Sequence, residues 1–123
     1  MLLKMFSEST TMCQICKKNL KNAMIIYNVT VNVEKEVEES WLAWMKEVHI
    51  PDILATGFFH EHKILRLLNE TENEGETYAV QYFTDELDKL EKYMTDEAPR
   101  LREEHIKKFQ DKCVSFRTFL ETV

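Results

Sequence analysis

An α+β sandwich, in the order strand, helix, strand, strand, helix, strand, is what residues 24–123 predict, and three observations predict it. Residues 25–33 alternate side chains between two faces, residues 36–48 switch to a helical period, and a polar loop at 69–75 joins two further alternating runs. Strands with one apolar face and helices with one apolar stripe must bury those surfaces against each other.

In the first strand Ile25, Tyr27, Val29, Val31 and Val33 point one way, and Ile26, Asn28, Thr30 and Asn32 point the other. One face is apolar throughout and the opposite face is mostly amide and hydroxyl, the pattern of a strand packed on helices on one side only. In the helix that follows, Val37, Trp41, Trp44 and Val48 fall on one stripe, while Glu36, Glu39, Lys46 and Glu47 lie outside it. Pro51 disfavours helical geometry at Ile50, so the helix is expected to stop at His49, with a short turn from Asp52 to Ala55 closed by Gly57. Residues 58–68 form the second strand. After the polar loop, residues 76–83 return with Tyr78, Val80 and Tyr82 opposed to Thr77, Ala79 and Gln81.

Thr84 or Asp85 is suited to cap the next helix. Leu87, Leu90, Met94, Ala98, Leu101, His105 and Phe109 hold one stripe across Pro99, which predicts two pieces broken near Thr95 and Asp96 with Pro99 in the first turn of the second. Residues 113–120 close the fold, Val114, Phe116, Thr118 and Leu120 alternating with Cys113, Ser115, Arg117 and Phe119. This order is that of a ferredoxin-like βαββαβ sandwich, a four-stranded antiparallel sheet with both helices on one face. The first and last strands are expected to be central.

Composition narrows the function. The chain has 123 residues, 44% hydrophobic and 31% charged, which suits one globular domain. Residues 1–23 hold four lysines against one glutamate, and the other 100 residues hold 12 basic against 21 acidic side chains. A unit that acidic repels phosphate backbones, so no nucleic-acid partner is expected. No apolar run approaches the roughly 18 residues of a spanning helix, and the apolar start is too short for a secretory signal, so no membrane partner and a cytoplasmic location are expected. Cys13 and Cys16 are half of a zinc site with no second pair, and they precede the first strand, where a redox pair would follow one. Four of the six methionines fall within residues 1–24, and the expected reading is that Met24 is the native start and residues 1–23 a disordered or non-native extension.

The stretches Met24-Ile-Ile-Tyr-Asn-Val-Thr-Val-Asn-Val, Trp41-Leu-Ala-Trp-Met-Lys-Glu-Val-His-Ile-Pro-Asp, Thr77-Tyr-Ala-Val-Gln-Tyr, Ala98-Pro-Arg-Leu-Arg and Phe116-Arg-Thr resemble a small bacterial family, the domain of unknown function numbered 4286. The family resembles in turn the dimeric α+β barrel proteins, whose bare sheet faces pack against a partner's to enclose a cavity. That broad group includes small monooxygenases, lactone isomerases, haem-handling enzymes and proteins with no known reaction. None of their catalytic motifs transfers to this chain, so the resemblance implies fold and dimer and leaves the reaction open.

The expected ligand-binding residues lie on the bare sheet face: Asn28, Thr30 and Asn32 from the first strand, Gln81 from the third, and Ser115 and Arg117 from the last. If Leu65 and Leu67 face the helices, His60, His62 and Arg66 join them. Two guanidiniums among amides and hydroxyls suit a small anionic ligand. His49 is the weak catalytic candidate, a residue that titrates near neutrality or caps the helix end. His60 and His62 share a strand face without a third ligand, so no metal is expected, and nothing in the chain calls for a cofactor. Two functions from different classes follow: a ligand-binding or sensing homodimer joined through the open sheet face, or a small cofactor-independent enzyme acting on an acidic metabolite between the sheet faces.

Overall fold

The computed structural model describes residues 23–69 and 74–123. Residues 1–22, with Cys13 and Cys16, and residues 70–73 of the hairpin loop lie outside the described residues, as does the expectation of a non-native extension. The elements are β1 (Ile25–Val33), α1 (Lys35–Trp44), a π-helical turn (Met45–His49), α2 (Ile50–Ala55), β2 (Glu61–Arg66), β3 (Glu76–Thr84), α3 (Leu87–Asp96), α4 (Ala98–Phe109), a 3-10 turn (Gln110–Lys112) and β4 (Cys113–Glu121).

The four strands form one antiparallel sheet in the order β2-β3-β1-β4, the ferredoxin-like arrangement. The first and third strands are therefore central, and the last strand is an edge, contrary to the expectation that it would be central. The reason is the hairpin: β3 folds back from β2 and pairs with β1, which leaves β4 only the outer side of β1.

β1 divides its faces as its alternation requires. Tyr27, Val31 and Val33 are buried under the helices with Tyr78, Val80 and Tyr82 of β3, against Trp41, Met45, Ile50, Ile53, Leu90, Tyr93, Leu101 and Phe109. Trp41 packs its indole on Tyr78, ring centroids 5.1 Å apart, and donates from Nε1 to Nε2 of His105 at 2.9 Å. That bond joins α1 to α4.

The first helix does not stop at His49. It continues to Ala55, and Pro51 is absorbed by the π turn before it, where the Ile50 N–H bonds to the Met45 carbonyl. Proline has no N–H and crowds the carbonyl four residues back, and a turn with one extra residue relieves both. The wider turn also shifts the buried stripe. Met45 and His49 point inward, whereas Val48, expected in the core, is 41% exposed. Gly57 follows at φ 84°, the left-handed position that ends helices at glycine.

The break between α3 and α4 falls at Glu97, with Pro99 in the first turn of α4 as expected. Neither Thr84 nor Asp85 caps α3; Glu86 stands at that position without a side-chain cap bond. Truncating Trp41 to Ala removes a wholly buried indole and the anchor of His105 together. The expected loss is about 3–5 kcal/mol, read as a lower urea midpoint, with a smaller loss for the half-buried Trp44.

Candidate functional site

Strand register decides which expected site residues meet. Asn28 pairs with Gln81 on one side and Thr118 on the other, Thr30 with Ala79 and Phe116, and Asn32 with Thr77 and Val114. Asn28, Thr30, Asn32 and Gln81 thus share the open face, as expected. The amide nitrogens of Asn28 and Asn32 are spent on the sheet itself, while Asn28 Oδ1 is buried with no hydrogen-bond partner among the described residues. The Asn28 amide nitrogen donates to Thr30 Oγ1 and Thr118 Oγ1, each at 3.1 Å, and that of Asn32 donates to Thr77 Oγ1 at 3.0 Å. A broad groove of about 1130 Å³ runs over Thr30, Asn32, Thr77 and Phe116, but Glu34, Glu36 and Glu74 line it against Lys35 alone. An anion is repelled there.

Ser115 and Arg117 are not on that face. They pair with Val31 and Val29, so both lie on the helix-covered side, and Phe119 with them, its ring 5.8 Å from that of Tyr27. The more apolar set of β4, Val114, Phe116 and Leu120, takes the open face instead. The inversion has a physical origin: β4 is an edge strand beyond which the helix layer leaves a cavity, so its inner face meets space rather than core. Arg66 is also displaced. It pairs with Tyr78, stacks on that ring and donates to its hydroxyl at 3.0 Å, and the Tyr78 hydroxyl donates to the Glu38 carboxylate. His62 shares its face, while Leu65 turns to the open side, so the condition that would have brought His60, His62 and Arg66 to the open face is not met.

The residues that do converge line a cavity of about 250 Å³ between sheet and helices. Tyr27, Val29, Val31, Val80 and Tyr82 form its sheet side, and Met45, His49 and Ile53 reach it from the first helix. Tyr93, Leu101, Arg102, His105 and Ile106 come from α3 and α4, and Ser115 and Arg117 from β4. Arg117 donates from Nε to the Tyr27 hydroxyl at 3.0 Å. His49 is buried, stacked on Trp44 with centroids 4.7 Å apart, and lies 5.7 Å from the His105 ring. It is neither a helix cap nor a rim residue, because the π turn carries it inward.

Burial, reinforced by His105, pushes the His49 imidazole down to about 4, and burial with the Arg117 charge lowers His105 as well. Both rings are therefore neutral near pH 7. His105 accepts from Trp41 at Nε2, so its hydrogen sits on Nδ1. His49 Nδ1 and Arg102 Nε are buried with no hydrogen-bond partner among the described residues. Sequence reading missed Tyr27, Tyr93 and Arg102 as site residues and took His105 for packing. The available signal was Tyr27, whose hydroxyl on a core-facing strand position needs a partner.

The family model for a domain of unknown function, DUF4286, matches residues 24–123. The chain belongs to that family. No curated protein matches the chain. Among solved structures, an ethyl tert-butyl ether degradation (EthD) family protein from Bacillus halodurans C-125 is similar at a TM-score of 0.57 and 12% identity, covering 76% of this chain and 96% of its own. A dimeric ferredoxin-like protein from an uncultured marine organism is similar at 0.54 and 10% identity, covering 82% and 95%. These likenesses establish the fold of this DUF4286 member and assign it no reaction. No helix among the described residues is long and apolar enough to cross a membrane.

The histidines set the acid limb of stability. Between pH 6.5 and about 4 the unfolded chain protonates at position 49 while the folded chain does not, so stability falls as pH falls through that window. His49 alone accounts for about 3 kcal/mol of the loss, and His105 adds in the same direction. Urea midpoints at pH 7 and pH 4.5 should differ accordingly, and His49→Gln should flatten the slope.

Proposed function

We propose that this domain is a homodimer that holds a small molecule in the cavity between its sheet and helices. One observation carries the reading: two imidazoles, His49 and His105, and two guanidiniums, Arg102 and Arg117, come together in the wall of a cavity otherwise lined mainly by apolar and aromatic side chains. The volume equals the liquid volume of about eight waters, which suits a small metabolite and falls below the roughly 300–1,000 Å³ of larger ligand sites.

The dimer rests on the open sheet face. Leu65, Val114, Phe116 and Leu120 are exposed large apolar side chains on that face, flanking the amide ladder of Asn28 and Asn32. Four strands of up to nine residues present roughly 19 by 30 Å. That is on the order of 600 Å² before side-chain relief, close to the ~800 Å² per partner of a stable interface. A structural neighbour is described as dimeric, which supports two copies without saying which face joins them. Asn28, Thr30, Asn32 and Gln81 then serve the subunit contact rather than a ligand. The half-buried free thiol of Cys113 fits a reducing, cytoplasmic setting.

Sedimentation equilibrium of the wild-type chain at micromolar concentration is expected to give two copies. Phe116→Asp, a change at an exposed position, should give a folded monomer. A wild-type monomer would remove the dimer, and native mass spectrometry of freshly purified protein reads the retained ligand.

A further inference from the structure

Resting on the reading that the cavity binds a guest, we infer that the guest is a small organic carboxylate with an apolar body, gripped by Arg117 and flanked by Arg102. Two guanidiniums line one cavity, and among the described residues neither takes part in an ion pair, although the chain is acidic overall and its other two arginines, Arg66 and Arg100, are both paired. Unpaired cations at a partly buried wall repel each other and gain most from a shared anion.

Arg117 is also pre-aimed. Its Nε is committed to the Tyr27 hydroxyl, and Tyr27 is fixed between the rings of Phe59, Tyr82, Tyr93 and Phe119, so the terminal nitrogens keep their direction without a ligand. A planar fork with free ends matches the two oxygens of a carboxylate. The neutral imidazole of His105 adds a donor without adding charge, since its hydrogen sits on Nδ1. Val29, Val31, Met45, Ile53 and Leu101 then meet the apolar remainder of the guest.

Phosphate fits less well. Its greater charge needs many donors to replace its water, and the cavity wall is built from strand and mid-helix side chains rather than from a glycine-rich loop of backbone N–H groups.

The test uses the full chain and matched pairs of probes: benzoate with benzamide, phenylacetate with phenylacetamide, and pentanoate with pentanamide, plus inorganic phosphate. Calorimetry and thermal midpoints are read at pH 7. The expected result is saturable binding of at least one acid, roughly tenfold or more tighter than its amide. Arg117→Gln should erase that preference, and Arg117→Lys should restore part of it. Circular dichroism checks folding; if Arg117→Gln does not fold, Arg102→Gln is expected to reduce the same preference. An amide that binds as well as its acid would overturn the carboxylate and leave the ligand cavity standing. Phosphate binding tighter than every acid would also overturn it. Failure of all acids and amides alike would overturn the ligand cavity itself.

Discussion

The Tyr27 ring lies within 6.1 Å, centroid to centroid, of four other aromatic rings, and its hydroxyl accepts the Arg117 Nε hydrogen. One side chain near the start of β1 therefore touches the loop before β2, the neighbouring strands β3 and β4, and helix α3. Its apolar body belongs to the core and its polar tip to the cavity. Tyrosine suits such a position because burying the ring is favourable only where the hydroxyl finds a partner. The partner here is a cation, and that is why an arginine is kept on the inner face of an edge strand.

A second tie works alongside it. Trp41, wholly buried on α1, fixes His105 on α4 through a single N–H donor. His105 then supports Trp44, His49 and Phe109 by ring contact. The helix layer is thus stapled by aromatic and imidazole rings over the same cavity that the sheet lines from below. Rings of this kind lose little rotamer freedom when packed, so the walls are rigid although the space between them is open.

Much of the fold was legible in the residues. The strict alternation of β1 and β3 and the stripe of α3 and α4 specified faces, because each pattern has one dominant apolar side. β4 was misread for the same physical reason. Hydrophobicity reports burial, and Val114, Phe116 and Leu120 carry the apolar signal toward a face that bears no helices. Arg117 reads as a ligand-binding residue of the open sheet face and instead lines the cavity on the helix-covered side. The turn at Met45–His49 was illegible because Pro51 signals disruption without saying how the chain resolves it. Register settled what alternation could not: Leu65 against Ala79 and Arg66 against Tyr78 fix both faces of β2.

That π turn makes the chemistry of the cavity depend on chain length rather than on residue identity. A helix with one residue fewer between Met45 and Pro51 would return to ordinary spacing and swing each preceding side chain by about 100° relative to those that follow. The imidazole would leave its stack on Trp44, and the cavity would lose a polar wall while every amino acid lining it stayed the same. Deletions in this segment therefore alter the interior more than most substitutions do, and among relatives the segment's length is as informative as its sequence.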